Sequence, residues 1–193
     1  MMKENLIQFI QQVLPMSTSR AELVVAKFKP VKIEKNGYFL KADSVCNASH
    51  FMEKGIARSY TYDLEGNQVT TAFYPANTYA SDLLSFFKRT PAKEYIQAIT
   101  DCETWSITYE DMQASFHAIP EFREFGRLNI VNQYSLLKER MLSNLQETAD
   151  QRYSDLIHSH PEILQHVPLK YIASYLGIAD TSLSRIRKEA VKK

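Results

Sequence analysis

Between Lys27 and Ile107 the sequence is written in short runs rich in Val, Ile, Thr, Tyr and Phe, broken at close intervals by turn residues. The runs are Phe28 to Ile33, Tyr38 to Leu40, His50 to Met52, Ile56 to Tyr62, Gln68 to Phe73, Tyr95 to Thr100 and Thr104 to Ile107. Such side chains fit a pleated, half-buried surface. Lys35-Asn36-Gly37, Lys54-Gly55, Leu64-Glu65-Gly66-Asn67 and Pro75-Ala76-Asn77 are the residue types that reverse a chain. No helical pattern separates the runs, which argues against parallel crossovers and predicts an antiparallel sandwich or jelly roll.

Helices flank this region. Leu6, Ile7, Phe9, Ile10, Val13 and Leu14 recur at helical spacing and stop at Pro15. Beyond Ile107, Thr108 followed by Asp111 opens a helix running towards His117, and Pro120 opens a longer one. No Gly or Pro interrupts it from Arg127 to His160. Within it Ile130, Tyr134, Leu137, Met141 and Leu145 form one stripe, and Leu128, Val131 and Leu142 a neighbouring one. Two readings stay open: a helix packed on its own domain, or one stripe on the sheet domain and the other on the same helix of a partner subunit. Asn129, Asn132 and Lys138 interrupt a strict heptad. The fold class expected is α+β: an N-terminal helix and jelly-roll sensor domain over 1–118, a long dimerisation helix over 119–149 and a DNA-binding unit over 150–193. A chain of 193 residues accommodates two modules joined this way.

Composition excludes several classes. With 45% hydrophobic and 23% charged residues the chain is an ordinary globular one. Cys46 and Cys102 stand apart without a C-x-x-C pattern, so they predict buried free thiols and no zinc or iron–sulfur framework. The N-terminus lacks a long apolar stretch with a small-residue cleavage site, and no window approaches about 18 apolar residues, so a cytoplasmic protein without a membrane partner is expected. The net charge of +1 hides a gradient. From Pro168 onward six bases face Asp180 and Glu189, a local balance of +4 that leaves about −3 for the rest.

That basic end reads "YIASYLGIADTSLSRIRKEAVKK". Ile172, Leu176, Ile178, Leu183 and Ile186 are spaced to fill the angle between two short helices. Ala173 is small where they cross, and Gly177 stands where the chain turns with positive φ. This is a helix-turn-helix pattern, with Asp180 or Thr181 to cap the second helix and Ala190 facing inward. Arg185 is the candidate for reading guanine through two hydrogen bonds, Thr181, Ser182 and Ser184 for base or phosphate contacts, and Arg187, Lys188 and Lys192 for phosphate. The partner implied is double-stranded DNA.

A jelly roll, a long helix and a C-terminal helix-turn-helix, in that order, resemble the Crp/Fnr family of transcription regulators over nearly the whole chain. "HPEILQHVPLKYIASYLGIADTSLSRIRK" is similar to a Bacteroides-type subgroup, and "KNGYFLKADSVCNASHFMEKGIARSY" to the first strands of the cyclic-nucleotide-binding-like domain. The resemblance implies a homodimer reading a palindromic site, a sensor for a small molecule, and base contacts at Asp180, Thr181 and Arg185. Asp180 departs from an arginine frequent there. The ending departs too, since only Glu189 to Lys193 stand where a β-hairpin wing normally follows.

The sensor departs further. Family members that bind cyclic AMP hold its phosphate with a Gly-Glu pair and an Arg-Ser or Arg-Thr pair, whose counterparts here are Tyr79-Ala80-Ser81-Asp82 and Ala92-Lys93-Glu94. Without the arginine, and with Glu94 beside a phosphodiester, tight cyclic-nucleotide binding is not expected. Phe73, Tyr79, Ser81, Asp82 and Lys93 make up the expected pocket for an unidentified effector, although a jelly roll needs aromatics simply to fill itself. Catalysis is not expected: His50 alone lies in the strands with no H-x-H pair to hold a metal, and His158, His160 and His166 read as exposed helix-end residues. No cofactor is implied. The rival to a regulator is a ligand-binding or protein-interaction module that no longer reads DNA.

Overall fold

The computed structural model describes residues 3–190. Helix α1 (Glu4–Val13) buries Leu6 and Ile10, one turn apart on the same face, and ends ahead of Pro15. Helix α2 (Thr18–Val25) starts where the Ser17 hydroxyl accepts the Arg20 N–H. The strands follow: β1 (Lys29–Ile33), β2 (Tyr38–Leu40), β3 (Ala48–Lys54), β4 (Ala57–Tyr62), β5 (Gln68–Tyr74) and the two-residue β6 (Tyr79–Ala80). After the short helix α3 (Leu83–Lys88) come β7 (Tyr95–Ala98) and β8 (Cys102–Thr108). They form two four-stranded antiparallel sheets, ordered β1-β8-β3-β6 and β2-β7-β4-β5, in a jelly-roll-like domain.

The first sheet is covered on both faces, which explains the unbroken burial of Ser49, His50, Phe51 and Met52 in β3. His50 and Met52 point between the sheets, Met52 joining Leu40, Ala57 and Ile96. Phe51, with Trp105 and Ile107 of β8, points outward beneath α1 and the later helices. The turn into β4 requires Gly55: its φ is +95°, and a Cβ there would lie 2.4 Å from the Asp101 carbonyl oxygen.

Thr108 accepts the Asp111 N–H and starts helix α4 (Tyr109–Ala118) as its sequence spacing predicts. Helix α5 (Pro120–Gln146) is 27 residues long, about 40 Å. Its first turns bury Phe122 and Phe125 against Phe51 and Trp105, and Gly126 lets Phe116 of α4 come close. The continuous helix ends at Gln146, short of the expected 149. Glu147 is extended, and Thr148 with Gln151 forms a reciprocal capping box that starts helix α6 (Ala149–Ser159).

Helices α7 (Pro161–His166), α8 (Leu169–Leu176) and α9 (Asp180–Ala190) complete the described chain. Tyr153, Leu156, Ile163, Val167, Ile172, Leu176, Leu183 and Ile186 share one core, and Ile56 and Ile99 of the jelly roll belong to it. The C-terminal helices are therefore seated on the sheet domain. Cys46 and Cys102 are both buried and unpaired, and burial raises both thiol pKa values, that of Cys102 to about 11. Among the described residues no helix is long and apolar enough to cross a membrane.

Candidate functional site

Helix α8 carries Ile172, Ala173 and Leu176 on its buried side, and α9 answers with Leu183 and Ile186. Between them Gly177 adopts φ +68°, and the N–H groups of Gly177 and Ile178 return to the carbonyls of Ser174 and Ala173. With the apolar side chains turned inward, Thr181, Ser184, Arg185 and Lys188 recur at helical spacing on the exposed side of α9, and Arg187 is exposed beside them. Ser182 is half-buried, and the Ser184 hydroxyl donates to the Asp180 carbonyl at 3.0 Å. Asp180 is the first helical residue of α9 and Thr181 the second, so neither precedes the helix as an N-cap does. The Asp180 carboxylate instead lies in the first turn, where the helix dipole favours it. Lys192 lies outside the described residues, as does the side chain of Ala190.

The helix pair is fastened to the jelly roll through the open edge of β5. The Ser174 hydroxyl accepts the Thr70 N–H at 2.9 Å and donates to the Gln68 carbonyl at 3.1 Å. Arg58, 1% exposed, lies 3.4 Å from the ring centre of Tyr171 and 4.3 Å from that of Tyr60. It donates to the Thr70 hydroxyl at 3.2 Å and to the Gln68 side chain. Arg140 of α5 donates to the Thr71 carbonyl and stacks over Tyr175 of α8 at 4.0 Å, so long helix, sheet and helix pair meet at one guanidinium. The sequence reading missed this junction; a serine inside the apolar run "YIASYL" is its one local sign.

Past Phe125, α5 leaves the core. Ile130, Tyr134, Leu137, Met141 and Leu145 are exposed, Tyr134 at 67%, Leu137 at 66% and Leu145 at 75%. Val131 and Leu142 of the neighbouring stripe are exposed as well. An apolar face of this extent on a single chain marks an interaction surface.

The residues expected to form an effector pocket divide. Tyr79 and Ser81 line an apolar cleft of about 410 Å³ among the first sheet, Tyr74 of the second, α3, α4 and α5. Phe73 instead packs on Tyr175 at 4.9 Å, Asp82 accepts the Ser85 N–H at the start of α3, and Lys93 is exposed. Where the resemblance places a phosphate, the structure holds carboxylates. Burial raises the pKa of Glu94, a hydrogen bond from Thr71 opposes that, and the negative charge of Asp82 adds to the rise. The Ser59 and Thr71 hydroxyls are 2.7 Å apart beside it, and burial pushes the neighbouring Tyr74 hydroxyl up to about 12.

The family model of the cyclic nucleotide-binding domain matches residues 30–118. No curated protein matches the chain. The fold is shared with solved structures of regulators. The c-di-GMP-responsive global regulator CLP of Xanthomonas campestris is 13% identical at a TM-score of 0.69, over 91% of this chain and 92% of that one. FixK2 of Bradyrhizobium japonicum is 14% identical at 0.71, over 86% and 85%. A candidate Crp/Fnr-family transcriptional regulator of Eubacterium rectale is 16% identical at 0.68, over 94% and 88%.

Proposed function

We propose that this chain is a cytoplasmic DNA-binding transcription regulator of the Crp/Fnr type, of the Bacteroides-type subgroup its C-terminal stretch resembles. The observation that carries the reading is the α8–Gly177–α9 pair: a closely packed apolar interior leaves Thr181, Arg185 and Lys188 together on one free face. In a helix-turn-helix that face enters the major groove, where Arg185 is suited to guanine and Arg187 and Lys188 to phosphate. The exposed stripe of α5 supports a homodimer that sets two α9 helices about one DNA turn, roughly 34 Å, apart over a palindrome.

Glu94 and Asp82 at the phosphate position support a sensor that does not take cyclic AMP, because two carboxylates oppose a phosphodiester and the cation that acts on Glu94, Arg140, is engaged with the Thr71 carbonyl and the Tyr175 ring. Calorimetry showing micromolar or tighter cyclic AMP affinity overturns that part. The reading as a whole is tested by selecting bound sequences from a random duplex pool at two salt concentrations. Enrichment of a palindrome with half-sites one turn apart is expected, with affinity falling steeply as salt rises. Absence of salt-dependent binding to any duplex leaves the interaction-module reading in its place.

A further inference from the structure

A second cleft, of about 210 Å³, opens where the long helix breaks and the C-terminal helices begin. Arg140, Ser143 and Asn144 reach it from α5, Arg152, Asp155 and Ser159 from α6, and Tyr175 from α8. It shares no lining residue with the apolar cleft beneath α5, and its chemistry is the opposite. Two guanidinium groups converge on it together with hydroxyl and amide groups, and among the described residues Asp155 is the one carboxylate in its lining. His160 lies at the same cleft with Nδ1 3.3 Å from the Glu162 carboxylate, so that ring already has an anionic partner.

The two guanidinium groups differ in how their charge is balanced. Arg152 donates to the Glu147 carbonyl at 2.6 Å, just past the end of α5, and to the Leu176 carbonyl at 3.0 Å, at the end of α8. A helix C-terminus carries about half a negative charge, so these two ends offset Arg152. Its Nε is closed to solvent, and the group serves as a brace and a fixed charge. Arg140 has no such compensation. It gives one N–H to the Thr71 carbonyl, in a strand, where the net dipole is small, and its flat face to the Tyr175 ring at 4.0 Å. Neither contact uses the remaining N–H groups in the guanidinium plane. Among the described residues Arg140 forms no ion pair. The Glu147 carboxylate accepts the Ser143 hydroxyl instead, and the effect of Arg140 on Glu94 ranks behind those of burial, Thr71, Asp82 and Ser59.

We propose that this cleft binds a small oxyanion that also carries a hydrogen-bond donor, with its carboxylate or phosphate on Arg140 and its hydroxyl or ammonium group turned to Asp155. The planar fork of a guanidinium matches two oxygens of either anion, and the neighbouring Arg152 lowers the cost of bringing negative charge there. A lone anion without a donor is repelled by Asp155. The volume lies below the roughly 300 Å³ at which pockets for drug-sized ligands begin, so the occupant is compact. Because α5, α6 and α8 each contribute to the lining, an occupant bears on the joint between the long helix and the helix pair. The binding is independent of DNA reading; only its consequence for a regulator rests on the function proposed above.

The probes are glycerol 3-phosphate and D-glycerate, with propionate as the acid that lacks a donor, each titrated into the full chain and followed through amide chemical shifts. Saturable shifts around Asn144, Ser159 and Leu176 are expected with α9 unmoved, and the tighter of the first two probes identifies the oxyanion. Arg140→Gln should weaken both about tenfold or more. Since Arg140 also braces the helix pair, a loosened fold is separated from a lost ligand contact by Asp155→Asn, at an exposed position. That substitution should weaken D-glycerate several-fold yet tighten propionate, because the one loses a charged acceptor and the other a repulsion, whereas a loosened fold moves both the same way. No saturable binding of either probe, shifts confined to α9, indifference to Arg140→Gln, or the same change for D-glycerate and propionate in Asp155→Asn each overturns the proposal. The duplex selection reads α9 and this titration reads the joint of α5, α6 and α8, so either can fail alone.

Discussion

Ser174 stands 104 residues from Thr70 in sequence, yet its hydroxyl accepts the Thr70 N–H at 2.9 Å and donates to the carbonyl of Gln68 at 3.1 Å. An edge strand normally leaves such groups to water or to another chain. Here a helix side chain completes the edge of β5, and the candidate DNA-reading unit is docked on the jelly roll by the same contact.

Ser174→Ala should destabilise the docked arrangement by about 1 to 3 kcal/mol, because the Thr70 N–H is left buried without an acceptor. Hydrogen exchange at the Thr70 amide is the direct readout. Acceleration there, with little change inside α9, is expected; an unchanged rate shows that the serine does not hold the edge.

His50 gives the fold a pH dependence. Burial lowers its pKa to about 4, with Nδ1 set 3.2 Å from the Thr104 hydroxyl and the Phe39 ring 5.1 Å away. The unfolded chain protonates this residue near pH 6.5 and the folded chain near 4, so between those values the unfolded state binds more protons. Its contribution is complete above about pH 6.5 and is lost as pH falls towards 4, by roughly 3 kcal/mol at the limit. Denaturation midpoints across that window should fall with pH for the native chain, and the slope should flatten in His50→Gln.

Gly55 and Gly177 both have positive φ, but alanine has different consequences at each. At Gly55 the new Cβ meets the Asp101 carbonyl oxygen at 2.4 Å, whereas at Gly177 nothing lies within 4 Å. Gly177→Ala should cost about 1 kcal/mol, the left-handed conformation alone, and Gly55→Ala about 2 to 3 kcal/mol or more. Equal losses in chemical denaturation contradict the geometric account.

For DNA, Arg185→Ala should relax selection at one base pair per half-site by about 1 to 3 kcal/mol, while Lys188→Ala should weaken all duplexes alike and reduce the salt slope by about one. Binding titrations against the selected operator and its single-base variants separate the two. If both substitutions act uniformly, α9 holds phosphate and does not read bases.

Association along α5 is tested at Leu137, 66% exposed in the middle of the apolar stripe. Leu137→Asp places a charge in the proposed seam and should turn a dimer into a monomer in sedimentation at micromolar concentration, with the chain still folded. A native chain that is already monomeric there removes the dimer from the proposal.

Local chemistry determined a good part of this protein. Tyr38 to Leu40 was bounded correctly because aromatic and apolar side chains between turn residues favour one conformation, and Thr108 and Gly177 act on groups within a few residues of themselves. The division of α9 into a buried and a free face was readable for the same reason. Tertiary structure alone decided the rest. The two-residue β6 exists only because Tyr79 and Ala80 meet Phe51 and His50. Phe73 left the expected pocket for Tyr175, Arg58 was buried between tyrosines of two modules, and the apolar cleft was assembled from two sheets and three helices. Each of these depends on which surfaces meet across many tens of residues, and periodicity in a sequence records which face of an element is buried, not what buries it.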